Sequence, residues 1–179
     1  MDNYYTLNVA GLTRQLPLCP INEKLDIAAF VMFSDVELTV NCAKELIKKL
    51  PECEVIVTAE SKGIPLAYEM AKQLGIKYIV ARKSVKAYMR DPISVNVHSI
   101  TTAGTQTLYI DRDQANYLKG KKTAIVDDVI STGESLVAVE KLLKEAGADI
   151  IAKSAVLAEG EAADRTDIIF LEKLPLFFK

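Results

Sequence analysis

What the 179-residue chain lacks narrows its class before any motif is read. It has one histidine and three cysteines, Cys19, Cys42 and Cys53, an odd number at no metal-binding spacing. Neither a disulfide framework nor an all-histidine metal site has the residues it needs, and a reducing cytoplasm is the expected setting. Neither sign of charge dominates: 22 Lys and Arg stand against 24 Asp and Glu, for a net charge of −2. No uniform basic field exists to hold nucleic acid or an anionic membrane, which leaves only a local basic patch open. Long apolar runs are missing too. The longest, residues 27–33, has seven members, where a membrane helix needs about 18 or more. The first ten residues carry an aspartate and no basic residue ahead of an apolar run, so no secretory signal is expected. No Pro/Gly/Ser-rich linker, low-complexity tract or internal repeat divides the sequence, and one domain over 1–179 is expected.

What is present suits a packed core. Half the residues are hydrophobic and 26% are charged, which excludes disorder. Short apolar runs alternate with helix-period segments, the pattern of a parallel sheet with crossover helices. The clearest helix is expected over 34–50. Val36, Val40, Ala43, Ile47 and Leu50 would be its buried stripe, Ser34 and Glu37 its capping box, and Pro51 its stop. Further strands are expected at 55–59, 78–81, 123–126, 150–157 and 168–171, and helices at 64–74 and 134–146. Residues 82–92 have no periodicity and hold four basic side chains, Arg82, Lys83, Lys86 and Arg90. They read as a mobile basic loop. Ile93, Val95 and Val97 alternate with polar residues, and their hairpin partner is expected at 107–110 across a turn at 103–104. The fold class is therefore α/β, a doubly wound and mainly parallel sheet with helices on both faces, an N-terminal appendage and one long loop.

In such sheets ligands sit beyond the carboxyl ends of the strands. The string Thr123-Ala124-Ile125-Val126-Asp127-Asp128-Val129-Ile130-Ser131-Thr132-Gly133-Glu134-Ser135 places three groups at such an end. Asp127 and Asp128 can accept hydrogen bonds from sugar hydroxyls or metal-bound waters. A turn of small residues then lets backbone N–H groups close on an anion. Finally a helix begins, and its positive end favours a phosphate. Carboxylates for hydroxyls beside a nest for phosphate is the chemistry of a ribose 5-phosphate site.

The whole string resembles the motif with which type I phosphoribosyltransferases bind 5-phosphoribosyl 1-pyrophosphate (PRPP), and the likeness extends over most of the chain beyond about residue 30. It implies that Ser131, Thr132, Gly133, Glu134 and Ser135 form the 5-phosphate loop. Glu134 stands where many members carry glycine. Asp127 and Asp128 would hold the ribose hydroxyls and, through water, a Mg²⁺ ion. Thr58-Ala59-Glu60-Ser61-Lys62-Gly63-Ile64-Pro65-Leu66 is similar to the family's pyrophosphate loop, which often contains a non-proline cis peptide. Glu60, Ser61, Lys62 and Gly63, with Arg82 and Lys83, are the pyrophosphate-binding residues so implied. Arg82-Lys83-Ser84-Val85-Lys86 resembles the start of the family's catalytic loop, so that Lys83 and Lys86 join Asp127 and Asp128 as catalytic residues. Basic residues there can neutralise the leaving diphosphate and shield a glycosyl cation.

Within the family the likeness is greatest to the purine branch, and to adenine phosphoribosyltransferases first. Met32-Phe33-Ser34-Asp35 matches that group's base-binding segment, with Phe33 as the residue that stacks on the base and Met32, Ser34 and Ile130 beside it. Two positions depart from the pattern. Ser34 replaces an arginine, and Thr102 stands where a glutamate is credited with proton transfer; a threonine can donate a hydrogen bond but holds no proton equilibrium near neutral pH. Two relatives compete. Val97-His98-Ser99-Ile100-Thr101 resembles a strand of xanthine phosphoribosyltransferases, and Ala158-Glu159-Gly160-Glu161 resembles the PRPP-sensing domain of purine-operon repressors. The expectation is a cytoplasmic, Mg²⁺-dependent purine-salvage transferase, a homodimer with PRPP and a purine base as substrates and no nucleic acid or membrane partner. Residues 1–33 would form a hood with the base-binding segment and 34–179 the PRPP-binding core. A xanthine/guanine-type enzyme and a non-catalytic PRPP-binding regulator remain as alternatives.

Overall fold

A computed structural model of the protein describes residues 4–98 and 105–179. In chain order its elements are β1 (Tyr4–Val9), β2 (Leu12–Asn22), β3 (Leu25–Ala28), α1 (Val36–Ile47), β4 (Val55–Ala59), α2 (Ile64–Leu74) and β5 (Lys77–Ala81). There follow β6 (Ile93–His98), β7 (Thr105–Ile110), α3 (Arg112–Leu118), β8 (Lys122–Ile130), α4 (Glu134–Glu145), β9 (Asp149–Glu159), a 3-10 turn (Gly160–Asp164), β10 (Ile169–Leu174) and β11 (Leu176–Phe178).

Strand β4 is buried along its whole length, with Val55 and Val57 turned to one face and Ile56 to the other. A strand covered on both sides is apolar throughout, which is why it read as a continuous run. On the first face Val55, Val57 and Ile125 pack with Leu118 of α3 and Leu136, Val139 and Leu142 of α4. On the second, Ile56, Ala124 and Val126 pack with Leu38, Cys42 and Leu46 of α1 and Leu66 and Met70 of α2. The central sheet is parallel, in the order β10-β9-β8-β4-β5. The chain enters at β4, steps outward to β5, then crosses to the other side of β4 as β8 and continues through β9 to β10. Its direction reverses between β4 and β8. The crevice beyond the carboxyl ends at such a switch point is where doubly wound sheets take ligands.

A second, antiparallel sheet runs β1-β2-β3-β11, so the C-terminal strand completes the sheet that the N-terminal residues begin. Its Leu7, Val9, Leu16 and Ala28 join the α1/α2 core. The expected hairpin forms between β6 and β7, with Ile93 opposite Ile110 and Val95 opposite Leu108. Its turn at 103–104, Thr102 and the side chain of His98 lie outside the described residues.

Three local expectations are corrected. The first helix spans 36–47 rather than 34–50, and its cap is Asp35, whose side chain accepts from the Leu38 N–H. Ser34 instead takes a positive φ of 68° just outside the helix, and Glu37 reaches away to Arg14. The buried stripe is Leu38, Thr39, Cys42, Ala43 and Leu46, because that side packs on α2 and on β9 and β10 of the central sheet and leaves Val36 74% exposed. Helix α3 was not expected at all. Its signal was in the sequence: Asp111 and Gln114 form a reciprocal capping box, but only seven helical residues follow it. Strand β8 runs to Ile130, four residues past its expected end, because its pairing with β9 persists through Asp127, Val129 and Ile130.

Candidate functional site

The extended β8 carries Asp127 and Asp128 to the switch point and then turns through 131–133 into α4. Gly133 makes that turn in the left-handed region, at φ 82°, where a side chain would strain the backbone. It offers no side-chain cap to α4, so the helix's positive end is turned to whatever lies beside it. What lies there is a cavity of about 110 Å³ lined by Asp127, Ile130, Ser131, Thr132, Gly133, Glu134 and Ser135. These seven were expected site residues; Val129 and Leu136, which also line the cavity, were not. One strand end therefore brings the carboxylate, the small-residue turn and the helix terminus around a single space.

The β4–α2 turn closes the other side of the switch point. Its Glu60–Ser61 peptide is cis, a feature the family resemblance implied for this turn. Gly63 approaches β8 so closely that a Cβ there would lie 2.5 Å from Thr58 Oγ1 and 3.0 Å from Asp127 Oδ1. Only glycine permits this approach. Lys62 then extends its Nζ to 2.9 Å from Asp128 Oδ2. The Asp127 Oδ1 accepts the Asp128 N–H at 2.8 Å. Removal from water, and next the charge of Asp128, push the Asp127 carboxyl well above its ordinary range.

Asp128 is only 3% exposed. Although Lys62 lies close to its Oδ2, the approach is off the hydrogen-bond direction, and that buried oxygen has no aligned donor. A buried acceptor in this state is suited to a hydroxyl or to a water on a cation. Among the described residues no three or more His, Cys, Asp or Glu side chains cluster as a metal site. A pair of carboxylates does suit Mg²⁺, which keeps several waters and draws its other ligands from substrate oxygens.

Glu60 faces the basic segment that follows β5. Its Oε2 accepts the Lys83 N–H at 2.9 Å, and its Oε1 lies 3.2 Å from Arg82 Nη2 and 3.9 Å from Lys86 Nζ. These partners, the Lys83 N–H first, hold the Glu60 carboxyl below its usual range. Arg82 also exchanges two 2.8 Å backbone hydrogen bonds with Tyr109 of β7, so both ends of this contact are anchored to the fold. Lys83 and Ser61 stay exposed, and Lys86 donates to Ser84 Oγ at 2.7 Å. No described contact joins Lys83 or Lys86 to Asp127 or Asp128.

The expected base segment lies apart from this cavity. Met32, Phe33 and Ser34 line a separate, mostly apolar groove of about 250 Å³ with Pro65 and Tyr68 of α2. Phe33 is 48% exposed there, whereas Met32 is buried. Ile130, the other expected base contact, belongs to the phosphate-side cavity and does not line the groove. Thr58 stands in the pyrophosphate-type string without a role assigned to it, and sequence reasoning missed the contacts of Tyr109 and Arg165. The last comes close to Gly133, and no spacing in the sequence announces it.

The fold and crevice define a doubly wound α/β protein with a phosphate-type loop and a carboxylate pair at its switch point. Comparison with known proteins narrows this. The sequence model of the "Phosphoribosyl transferase domain" matches residues 39–172. A hypoxanthine/guanine phosphoribosyltransferase of Methanococcus maripaludis is 35% identical over 147 residues, 78% of this chain and 76% of that protein. One of Methanococcus voltae is 38% identical over 110 residues, 62% of this chain but only 55% of that protein. Among solved structures, adenine phosphoribosyltransferase from Thermoanaerobacter pseudethanolicus superposes with a TM-score of 0.74 at 23% identity, covering 88% of this chain and 95% of that one. At that identity the likeness establishes the shared fold. The chain belongs to the phosphoribosyltransferase family.

Proposed function

We propose that the protein transfers ribose 5-phosphate from PRPP to a purine base, giving a nucleoside monophosphate and pyrophosphate. In this step the bond from ribose C1 to the diphosphate oxygen breaks, the diphosphate leaves with the electron pair, and a base nitrogen bonds to C1 and loses its proton. One observation carries the reading. Asp127, Asp128, the 131–135 loop and Lys62 converge at the switch point from the two central strands.

In this reading residues 131–135 take the 5-phosphate, and Asp127 and Asp128 accept the ribose hydroxyls. Lys62, Lys83 and Lys86 meet the diphosphate. Glu60, being a carboxylate already engaged by Lys83, Arg82 and Lys86, serves by placing those cations rather than by touching the anion. Mg²⁺, when bound through water at Asp127 and Asp128, supplies neutralising charge to the diphosphate. The protein's own contribution is to hold the reacting atoms together and to present fixed charge to an oxocarbenium-like transition state. By family resemblance it does so as a homodimer.

Relatives at 35% identity named for hypoxanthine and guanine support a 6-oxopurine as the base. Adenine is the second reading, favoured by the Met32-Phe33-Ser34 segment and its stacking-type groove. The deciding experiment measures pyrophosphate release from PRPP and Mg²⁺ with adenine, hypoxanthine, guanine, xanthine and orotate in parallel, beside PRPP binding without base. Turnover with a 6-oxopurine supports the first reading and with adenine the second. Tight PRPP binding with no turnover on any base would replace both with a sensor.

A further inference from the structure

We propose that Arg165, clamped by Asp167, is a positioning residue of the 131–135 loop that fixes its turn at Gly133. The inference rests on the reading of that loop as a phosphate site.

Arg165 follows the 3-10 turn at Gly160–Asp164, in the connection between β9 and β10. Its Nε and Nη2 donate to the two oxygens of Asp167 at 2.9 and 2.8 Å, a bidentate fork. Asp167 also takes Lys153 Nζ of β9 at 2.6 Å, and Lys153 reaches Glu140 of α4 at 3.3 Å. Four charged side chains thereby tie the β9–β10 connection to the helix whose first turn forms the loop. The fork leaves Nη1, which meets no acceptor among the described residues. This nitrogen points at Gly133: a Cβ on that residue would lie 2.8 Å from it.

Two physical consequences follow. The far end of an arginine is ordinarily free to swing away, but a bidentate carboxylate fixes the plane of this one. It therefore holds Nη1 where a Cβ on Gly133 would project, beside the residue that takes the left-handed turn. The carboxylate of Asp167 offsets its charge, so its effect on the loop is one of position. Lysine could not reproduce the arrangement, because a point charge cannot satisfy Asp167 and also face Gly133.

The test is titration of the full-length protein with ribose 5-phosphate and, separately, with pyrophosphate, for wild type, Arg165→Gln, Arg165→Lys and Asp167→Asn. Arg165→Gln should weaken ribose 5-phosphate binding about tenfold and leave pyrophosphate binding within about twofold. Arg165→Lys should fail to restore the loss, and Asp167→Asn should weaken ribose 5-phosphate in the same direction. In turnover the KM for PRPP rises while kcat holds. Equal weakening of both ligands, or wild-type affinity for ribose 5-phosphate in folded Arg165→Gln, overturns the proposal. Should that variant fail to fold, Arg165→Lys and Asp167→Asn carry the same comparison. A wild-type protein that binds no ribose 5-phosphate overturns the phosphate reading itself, and this proposal with it.

Discussion

Lys62 Nζ stands 2.9 Å from Asp128 Oδ2, joining the turn after β4 to the end of β8 across the point where the sheet reverses direction. The pair balances a buried carboxylate. It also places a cation for a diphosphate beside an acceptor for a hydroxyl, so the contact is made of the groups a phosphoribosyl substrate would recruit.

Asp127→Asn with Asp128→Asn should therefore lower kcat by about 10²–10³ or more while the folded protein survives. Neutralising two adjacent buried carboxylates removes their mutual repulsion, so the Tm should hold or rise. Pyrophosphate release and a thermal melt on the same preparation check both halves. Wild-type turnover would remove the pair from the mechanism.

Gly63→Ala probes the approach of the two central turns. The new methyl meets Thr58 Oγ1 at 2.5 Å and Asp127 Oδ1 at 3.0 Å, and overpacking of this kind costs about 1–3 kcal/mol. Activity should fall further than stability, since the side chain displaced is Asp127. Adding Thr58→Ala relieves the shorter clash but not the second. The double variant should regain Tm without regaining turnover, and recovery of both would mean that the Asp127 contact is immaterial.

The parallel sheet was legible because its strands are buried on both faces, so that Val55–Ala59 and residues 123–126 are apolar but for Thr58 and Thr123. The 131–135 loop was legible because acids, small residues and a helix start adjoin in sequence. The antiparallel sheet was not, and its fourth strand depends on residues 176–178 returning to pair with β3, a contact no local pattern encodes. The same limit hid Arg165, which meets Gly133 only through the fold. The stripe of α1 was misplaced for a related reason. Val36 and Leu38 are equally apolar, and only the tertiary neighbour decides which is buried.

Glu60→Gln keeps the shape and removes the charge that gathers the basic segment. The Lys83 N–H can still bond to the amide oxygen, but the pull on Arg82 and Lys86 is lost. Pyrophosphate affinity and the KM for PRPP should worsen severalfold, with the KM for the base unchanged. Tighter pyrophosphate binding would instead mean that Glu60 merely competes with the anion for the same cations.

Phe33→Ala tests whether the 48% exposed ring serves the base. Its groove is apolar and shares no lining residue with the phosphate-side cavity, so the variant should raise the KM for the base and spare PRPP binding. An unchanged KM would assign Phe33 to the groove alone.

Arg14 ties β2 to the helix start by donating to both oxygens of Asp35, at 2.7 and 3.1 Å. Those bonds, ahead of the opposing effect of burial and the Leu38 N–H, hold the Asp35 carboxyl below its ordinary value. A carboxyl depressed on folding stabilises the native state above its unfolded pKa of about 3.9, and the contribution is lost as pH falls through the lower folded value. Arg14→Gln should accordingly lower the Tm at neutral pH. The gap to wild type should narrow as the pH drops below about 4 and Asp35 takes up its proton. A Tm series from pH 7 to pH 3 reads this directly. A gap of constant size across that range would mean that Arg14 acts through its packing against the helix start, not through its charge on Asp35.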